Sequence, residues 1–392
     1  MKKILFAAFA VTLLTAGCQK TEVVKSTDGP VMTFSTEMKK ITKADPQADA
    51  EGDANLHAQG FNIWAYADFP LDNVTNVDNK TLIYDGMKGM QITYDSGWKT
   101  PDNTQYYWPG TNKSLRFFAI SAKDVNIETV KVTHGIGTEA PTIEINNFNV
   151  TDGNEDLMVA DFRKQHQGQD EKTVHLNFHH TLTKVEFKFK TNAEGDDAPK
   201  VYVQELKVTN LNHEGKLTAT SNQSFATTAS TSNKAEVLPV EFTWAPTSNT
   251  TTSFTSNGPA QDDLEDEDIL PTKIIDINGK EISPEKPKAP LLKANAETYQ
   301  TWLMLPHTSI TDTDADRDKT KDKLIEITYI IDNRQFVAKF PLAGENASGA
   351  PQIPSWDVNQ YITYTINLSP NLISFEASSK DWTPQTEAGM NN

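Results

Sequence analysis

The residues of this 392-residue chain that could carry chemistry are few, and they lie far apart in the sequence. Cys18 is the only cysteine, so the chain can form no internal disulfide and no set of thiolate ligands. His175 and His179 are four residues apart and would share one face of a strand, as a pair of metal ligands could. Four aspartates alternate over residues 312–318, which is a spacing that calcium-binding loops use.

Neither the histidines nor the aspartates complete a set of metal ligands. A calcium loop of this kind requires Gly at its sixth place and Glu at its twelfth, where the chain has Arg317 and Lys323. The histidine pair lacks the glutamate of the helical zinc motif. The chain also has no G-x-S-x-G elbow, P-loop or dinucleotide fingerprint. We therefore predict no metal site, no cofactor and no enzymatic activity.

The surroundings of Cys18 predict a different use for its thiol. Lys2 and Lys3 precede an apolar run of 11 residues over 4–14, and small residues follow up to Gly17. Positive charge, apolar run and small residues in this order are typical of a secretory signal peptide. The run is too short to span a bilayer, which requires about 20 residues. We predict a signal peptide over residues 1–17, with cleavage between Gly17 and Cys18.

The stretch Ala16-Gly17-Cys18 resembles the lipobox of bacterial lipoproteins, with Thr15 at the place where Leu is commonest. The resemblance implies that a peptidase cuts before Cys18 and that the sulfur carries a diacylglyceryl group. A single acyl chain binds a membrane only marginally, but two or three chains would anchor the protein stably. Because Gln19 and not Asp follows the cysteine, the resemblance implies an outer-membrane lipoprotein.

The composition restricts the class of partner and indicates which segments are polar. The formal net charge is −17, and removing residues 1–17 with their two lysines changes it to −19, so we expect no nucleic-acid partner. Polar segments predict a tether over 18–30, a flexible loop over 42–60 and a polar tail over 383–392. A stretch rich in Ser, Thr and Asn over 218–268 predicts a surface loop or a β-insertion.

Alternation of apolar and polar residues predicts strands throughout the chain. In KVEFKFK, Val185, Phe187 and Phe189 fall on one face, and FNIWAYADF separates Phe61, Ile63, Ala65 and Ala67 from Trp64 and Tyr66. Asp332-Asn333 tolerates the positive φ of a tight hairpin between two further runs. Many short strands with turn residues between them indicate antiparallel β-sandwiches.

A shift in composition near residue 165 predicts a domain boundary. The resulting division is an N-terminal β-sandwich domain over residues 31–164 and a C-terminal β-sandwich domain over 173–382. A length of about 370 residues after removal of the signal peptide suits two domains better than one. The fold class that we predict is therefore all-β, with two antiparallel sandwiches.

Three stretches resemble the fimbrillin-like proteins of Bacteroidales, which are the major, anchor and tip subunits of type V pili. They are YYWPGTNKSLRFFAISA at 106–122, DLMVA at 156–160 with LNFHHTLTKVEFKFK at 176–190, and the terminal YITYTINL and ISFEASSKDW. The resemblance extends from about Phe34 to Trp382 and implies two transthyretin-like β-sandwich domains. In the chain itself, Tyr107 and Trp108 are interpreted as core aromatics, and Trp382 as the closure of the second domain.

The resemblance also implies a mode of assembly. A protease removes the first strand of the lipidated precursor, and a strand of the next subunit enters the groove that is left. Here the removed strand would be residues 31–41, with Met32, Phe34 and Thr36 pointing inward, and residues 42–60 would form the cleavage loop.

The basic residues next to that loop and one strand near the C-terminus are the candidate assembly sites. Lys40 and Lys43 are the candidate sites of maturation cleavage. Ile373, Phe375 and Ala377 alternate as the side chains of a donor strand would.

We therefore expect a structural subunit of a type V-like pilus, whether stalk, anchor or tip, that contributes to adhesion. The expected partners are other pilus subunits through β-strand addition, the outer membrane through the lipid anchor, and a host protein or glycan receptor. The alternative is a lipid-anchored surface adhesin or glycan-binding protein that does not polymerise.

Overall fold

The computed structural model describes thirteen stretches of the chain and one isolated residue. These are residues 29–38, 50–68, 83–110, 113–123, 125–135, 137–150, 155–193, 195, 197–227, 232–247, and then 251–311, 323–344, 351–370 and 372–382. Within them the chain forms 23 strands and one α-helix. The prediction of an all-β fold is confirmed.

The first eleven strands are, in chain order, β1 (Thr33–Met38), β2 (Phe61–Ala67), β3 (Ile83–Tyr94), β4 (Trp98–Lys99), β5 (Ser114–Ser121), β6 (Lys131–Thr133), β7 (Thr142–Asn149), β8 (Met158–Ala160), β9 (Phe162–His166), β10 (Thr173–His180) and β11 (Thr183–Lys190). The next twelve are β12 (Val201–Asn212), β13 (Glu214–Thr220), β14 (Glu236–Leu238), β15 (Glu241–Pro246), β16 (Thr251–Ser256), β17 (Ile274–Ile275), β18 (Glu281–Ile282), β19 (Glu297–Met304), β20 (Leu324–Ile331), β21 (Arg334–Pro341), β22 (Gln360–Ser369) and β23 (Leu372–Asp381). The helix α1 (Ala50–Gln59) lies between β1 and β2.

The strands form four sheets. The first sheet has the order β1-β10-β8-β5-β2-β3-β4, with β9 paired to both β5 and β14, and the second sheet has the order β15-β13-β7-β6. The third sheet is β19-β11-β22-β23, and the fourth is β16-β12-β20-β21-β17-β18. Most pairs are antiparallel as predicted, but β1–β10, β11–β22 and β17–β21 are parallel.

The first sheet is buried on both faces. In β2, Phe61, Ile63 and Ala65 belong to an apolar cluster on the side of β1 and β3, whereas Trp64 and Tyr66 belong to the larger cluster that includes the second sheet. Every residue of β2 is accordingly buried, although its apolar residues alternate between two clusters. The assignment of faces predicted from alternation is confirmed.

The third and fourth sheets also follow their predicted patterns. Val185, Phe187 and Phe189 are at most 1% exposed and lie in one core cluster. Strands β20 and β21 pair antiparallel, and the two residues between them, Asp332 and Asn333, have φ values of 48° and 66°. Both values lie in the left-handed region that a tight two-residue hairpin requires. The predicted hairpin is therefore confirmed.

The prediction of a flexible loop over residues 42–60 is wrong for its second half. Residues 50–59 form α1, and Leu56 within it is fully buried in the cluster under β1 and β2. Leu56 is the one large apolar side chain of the helix sequence AEGDANLHAQ, so no apolar stripe of helical period marks it. The stretch over 218–268, predicted as a loop or a β-insertion, contains three complete strands, β14, β15 and β16.

The predicted division into residues 31–164 and 173–382 does not coincide with a division between sheets. β10 begins at Thr173 and lies inside the first sheet, between β1 and β8. β13 and β15 complete the second sheet beside β6 and β7, so both predicted domains contribute to the first two sheets. A two-domain division stays a prediction, and the sheet order favours a boundary after His180, before β11 enters the third sheet.

Candidate functional site: the terminal strands

The first and last strands of the described chain, β1 and β23, each lie at the edge of a sheet. β1 is the end member of the first sheet, and β23 is the end member of the third. An edge strand presents one row of backbone N–H and C=O groups that the sheet ladder does not use. The family resemblance implies that β1 is the strand removed by a protease, and β23 contains the candidate donor residues. The contacts of these two strands therefore bear on whether strand exchange between subunits is possible.

Backbone pairing fixes β1 on both sides of Met32. The Met32 N–H donates to the Tyr106 carbonyl at 2.7 Å, and the Trp108 N–H donates to the Pro30 carbonyl at 3.0 Å. From Thr33 onward the strand runs parallel to β10, in a register of six residue pairs. Parallel strands cannot be joined by a tight turn, so β1 is connected to its partner only through a long stretch of chain.

The inner face of β1, together with Met32 just before it, is apolar. Met32 is 4% exposed and Met38 is 1% exposed, and both belong to the cluster under β2. Phe34, half-buried between them, packs edge-on against Phe61 with ring centroids 6.3 Å apart. Burying a methionine side chain contributes about 1.5–3 kcal/mol, so detachment of β1 would expose an apolar groove. Thr36, which was also predicted to point inward, is half-buried.

The approach of the chain to β1 depends on a glycine and a tryptophan. A Cβ atom at Gly29 would lie 1.9 Å from the Trp108 carbonyl oxygen, so a side chain at this position is sterically excluded. Trp108 is fully buried, and its indole N–H donates to the Lys172 carbonyl at 3.0 Å. The interpretation of Trp108 as a core aromatic is therefore confirmed, and Tyr107 beside it is half-buried.

The two histidines that share a face of β10 are engaged in hydrogen bonds with different residues. His175 Nδ1 lies 2.5 Å from the Ser35 hydroxyl of β1, and His179 Nε2 lies 2.9 Å from Asp161 Oδ1. Across the described ranges, no group of three or more His, Cys, Asp or Glu residues could hold a metal ion. The aspartates at 312–318 lie outside the described residues.

At the other end of the chain, β23 forms a hairpin with β22 in a register of ten residue pairs. Phe375 is half-buried and stacks on Phe340 and Tyr364, with ring centroids 5.3 and 5.5 Å apart. Ile373 is 42% exposed, and the Ala377 N–H donates to Gln352 Oε1 at 2.7 Å. Two of the three predicted donor side chains, Phe375 and Ala377, thus contact the core of their own chain.

A buried carboxylate supports the sheet that carries β23. The Thr298 and Tyr361 hydroxyls donate to the two oxygens of Glu186, at 2.6 and 2.7 Å. Burial alone would raise the pKa of the Glu186 carboxyl. These hydrogen bonds and the Lys188 ammonium outweigh burial and hold the pKa below its ordinary value of 4.5. Alternation did not identify Glu186 as buried, because it falls on the polar side of KVEFKFK.

Four of the predicted site residues lie outside the described residues. They are Gly17 and Cys18 at the signal-peptide junction and Lys40 and Lys43 after β1. Their roles remain predictions. No helix in the described part of the chain is long and apolar enough to cross a membrane.

Solved structures of fimbrial proteins resemble this chain at low identity. A fimbrial protein from Bacteroides vulgatus is 16% identical, covers 90% of this chain and 99% of its own, and has a TM-score of 0.47. The tip fimbrial protein Mfa3 from Porphyromonas gingivalis, solved with a C-terminal truncation, is 10% identical, covers 90% of this chain and 100% of its own, and has a TM-score of 0.33. Comparison with curated proteins finds no match.

The family itself is shown by a match over most of the chain. The sequence model of the family described as fimbrillin-like matches residues 42–382. That range contains every described strand except β1, and it includes the three stretches on which the sequence resemblance rests. The chain therefore belongs to the fimbrillin-like family.

Proposed function

We propose that this chain is a structural subunit of a type V-like pilus and that it joins its neighbours by β-strand exchange. Membership of the fimbrillin-like family supports a role in a fimbrium or in adhesion at the cell surface. The observation that carries the finer proposal is the position of β1 and the contacts that hold it there. The strand is at a sheet edge, has no tight turn to its neighbour, and covers an apolar groove with Met32 and Met38.

In this proposal, cleavage after Lys40 or Lys43 separates β1 from the rest of the chain. Removal of β1 leaves the edge of β10 unpaired and the groove empty, which favours capture of an extended segment with alternating apolar side chains. Because residues 50–59 are helical, the cleavage loop is shorter than the predicted range of 42–60. The donor segment that we propose is β23, with Ile373, Phe375 and Ala377 as the inserted side chains.

The proposed location is the outer surface of the outer membrane, through acyl chains on Cys18. No helix that the structure describes could replace this anchor. Substitution of Cys18 by Ala should therefore release the protein from membranes and abolish lipid labelling. Membrane association that persists in this variant, with the signal peptide removed, would refute the anchor.

The test of assembly is limited trypsin treatment of the purified protein, followed by electrophoresis in SDS without heating. We expect cleavage at Lys40 or Lys43 and a ladder of oligomers. The matched control replaces Lys40 and Lys43 by Gln together with their neighbour Lys39, after which trypsin could otherwise cut. It should remain uncut between β1 and α1 and monomeric. If the cut protein stays monomeric at high concentration, assembly by removal of β1 is refuted.

The second candidate function is a lipid-anchored adhesin or glycan-binding protein that does not polymerise. The observation that favours it is the position of β23, which fills the edge of its own sheet with Phe375 stacked on two aromatic rings of the same chain. A donor strand in this position must first leave its own sheet. A cut protein that binds a host protein or glycan but forms no ladder would support this candidate.

A further inference from the structure

The C-terminal tryptophan packs against a residue of the first sheet. The indole ring of Trp382 stacks on the His180 imidazole, with ring centroids 3.7 Å apart and ring planes 8° apart. Trp382 is 2% exposed, and its backbone N–H donates to the Asn359 carbonyl at 2.9 Å. Its indole N–H has no hydrogen-bond partner within the described stretches. The side chain is therefore held by burial, by its stack on the imidazole and by the Lys184 ammonium, which lies 5.6 Å from the ring centroid. Of these contacts, the stack depends on where the imidazole lies.

The His180 imidazole is fixed by a buried carboxylate. Its Nδ1–H donates to Asp156 Oδ1 at 2.9 Å, and both side chains are 2% exposed. The other carboxylate oxygen of Asp156 accepts a hydrogen bond of 3.1 Å from Asn55 in α1. A buried carboxylate is costly unless its oxygens are hydrogen-bonded, so the position of Asp156 depends on α1 as well as on His180.

Helix α1 also reaches the same imidazole through Gly52. A Cβ atom at Gly52 would lie 3.0 Å from His180 Nε2 and 2.8 Å from the terminal methyl carbon of Met38. Met38 is the last residue of β1. His180 is thus the point where β1, α1 and the C-terminal Trp382 meet on the first sheet.

We propose that His180 couples the attachment of the N-terminal segment, defined as β1 and α1, to the attachment of β23. When α1 is docked, Asn55 and Gly52 confine Asp156 and the imidazole, and the imidazole provides the surface on which Trp382 stacks. When α1 detaches, Asp156 loses one donor and the imidazole loses its neighbour. The stack on Trp382 then weakens, and β23 opens more often. This coupling belongs to the folded monomer, so it stands or falls independently of strand exchange between subunits.

The test is hydrogen exchange of the backbone amides of residues 372–382 in the full-length protein. Gly52→Leu places a side chain where a Cβ alone is crowded by Met38 and His180, and it should detach α1. We expect exchange in α1 and in residues 372–382 to accelerate, the latter by about two- to tenfold, which corresponds to the loss of one aromatic stack. Asn55→Ala is the milder variant and should act in the same direction if Gly52→Leu does not fold.

Matched controls separate coupling from general destabilisation. Ala54→Leu changes an exposed position of the same helix and should leave exchange in residues 372–382 unchanged. Ile330→Ala removes core volume from a separate cluster of the fourth sheet, which includes neither Met38 and Leu56 nor Trp382, and it should lower global stability without a selective effect on β23. In a His180→Leu background, Gly52→Leu should no longer alter exchange in residues 372–382 beyond the effect of His180→Leu alone.

Two outcomes would overturn the proposal. The first is unchanged exchange in residues 372–382 of Gly52→Leu while α1 exchanges faster. The second is an equal acceleration in Ile330→Ala, because the effect would then follow global stability and not the contact with His180.

Discussion

The two terminal strands of the described chain are held in place by different means. β1 pairs in parallel over six residues and buries Met32 and Met38 almost completely. β23 pairs antiparallel over ten residues within a hairpin, yet its largest apolar contact, Phe375, is only half-buried. β1 is thus held mainly by side-chain burial, whereas β23 is held mainly by backbone pairing.

The two strands therefore differ in the surface that their removal would expose. Without β1, the first sheet keeps its other strands but exposes the apolar groove under Met32 and Met38. Without β23, the third sheet loses ten backbone pairs. It also exposes an apolar face, but β23 covers that face only in part. The first vacancy favours capture of apolar side chains, and the second favours any strand that can supply a backbone ladder.

The largest effect is expected at the buried end of β1. Met38→Ala should lower the free energy of unfolding by about 3 kcal/mol, because a fully buried methionine leaves a cavity when it is truncated. Urea denaturation followed by circular dichroism would measure it. The control is Glu37→Ala, which changes an exposed neighbour and should cost less than about 0.5 kcal/mol. Equal effects of the two variants would mean that burial does not hold β1.

A smaller effect is expected at the aromatic contact of β23. Phe375→Ala should lower the free energy of unfolding by about 2 kcal/mol, roughly half the cost at a fully buried ring, because the side chain is half-buried. The matched control is Ile373→Ala, in the same strand but 42% exposed. It should change the free energy of unfolding far less. Phe375→Asp should cost more than Phe375→Ala, because the charge would enter the chain's own aromatic stack. A loss at Phe375 as large as that at Met38 would abolish the contrast between the strands.

The smallest expected effect on the free energy of unfolding is at Glu186, and it depends on pH. Because the folded-state pKa of Glu186 lies below its ordinary value of 4.5, the carboxylate stabilises the third sheet above about pH 4.5 and loses this contribution as the pH falls through the folded pKa. Glu186→Gln should therefore cost about 1 kcal/mol at pH 7 and flatten the acid limb of the stability curve. Glu326→Gln, which breaks an exposed pair with Lys339, should leave that limb unchanged. If the acid limb of Glu186→Gln matched that of the unmodified protein, the carboxylate would not be coupled to folding.

Alternation was sufficient to predict the strands but not their neighbours. The faces of β2 and the hairpin at Asp332-Asn333 follow from local patterns, because side-chain direction and turn geometry are set by adjacent residues. The placement of β1 beside β10 is a contact across about 140 residues, and a parallel partner leaves no turn signal in the sequence.

The features that sequence reasoning missed are those in which a local pattern gives the wrong answer. α1 has one large apolar residue, Leu56, and it is stabilised by the surface on which it docks more than by an apolar stripe. Glu186 is buried although it alternates with apolar residues, because two hydroxyls from other strands and the Lys188 ammonium of its own strand satisfy it. The histidines of β10 belong to separate hydrogen bonds, which their spacing could not reveal.

The hairpin of β22 and β23 has a mechanical consequence. Its open end, where Gln360 pairs with Asp381, lies next to Trp382, so a force that pulls the C-terminus away from Asn359 loads the ten pairs one after another. A force along β1 instead shears the strand past β10 and loads its pairs together. The resistance of the C-terminal end is therefore set first by the stack of Trp382 on His180, and only afterwards by the pairs behind it.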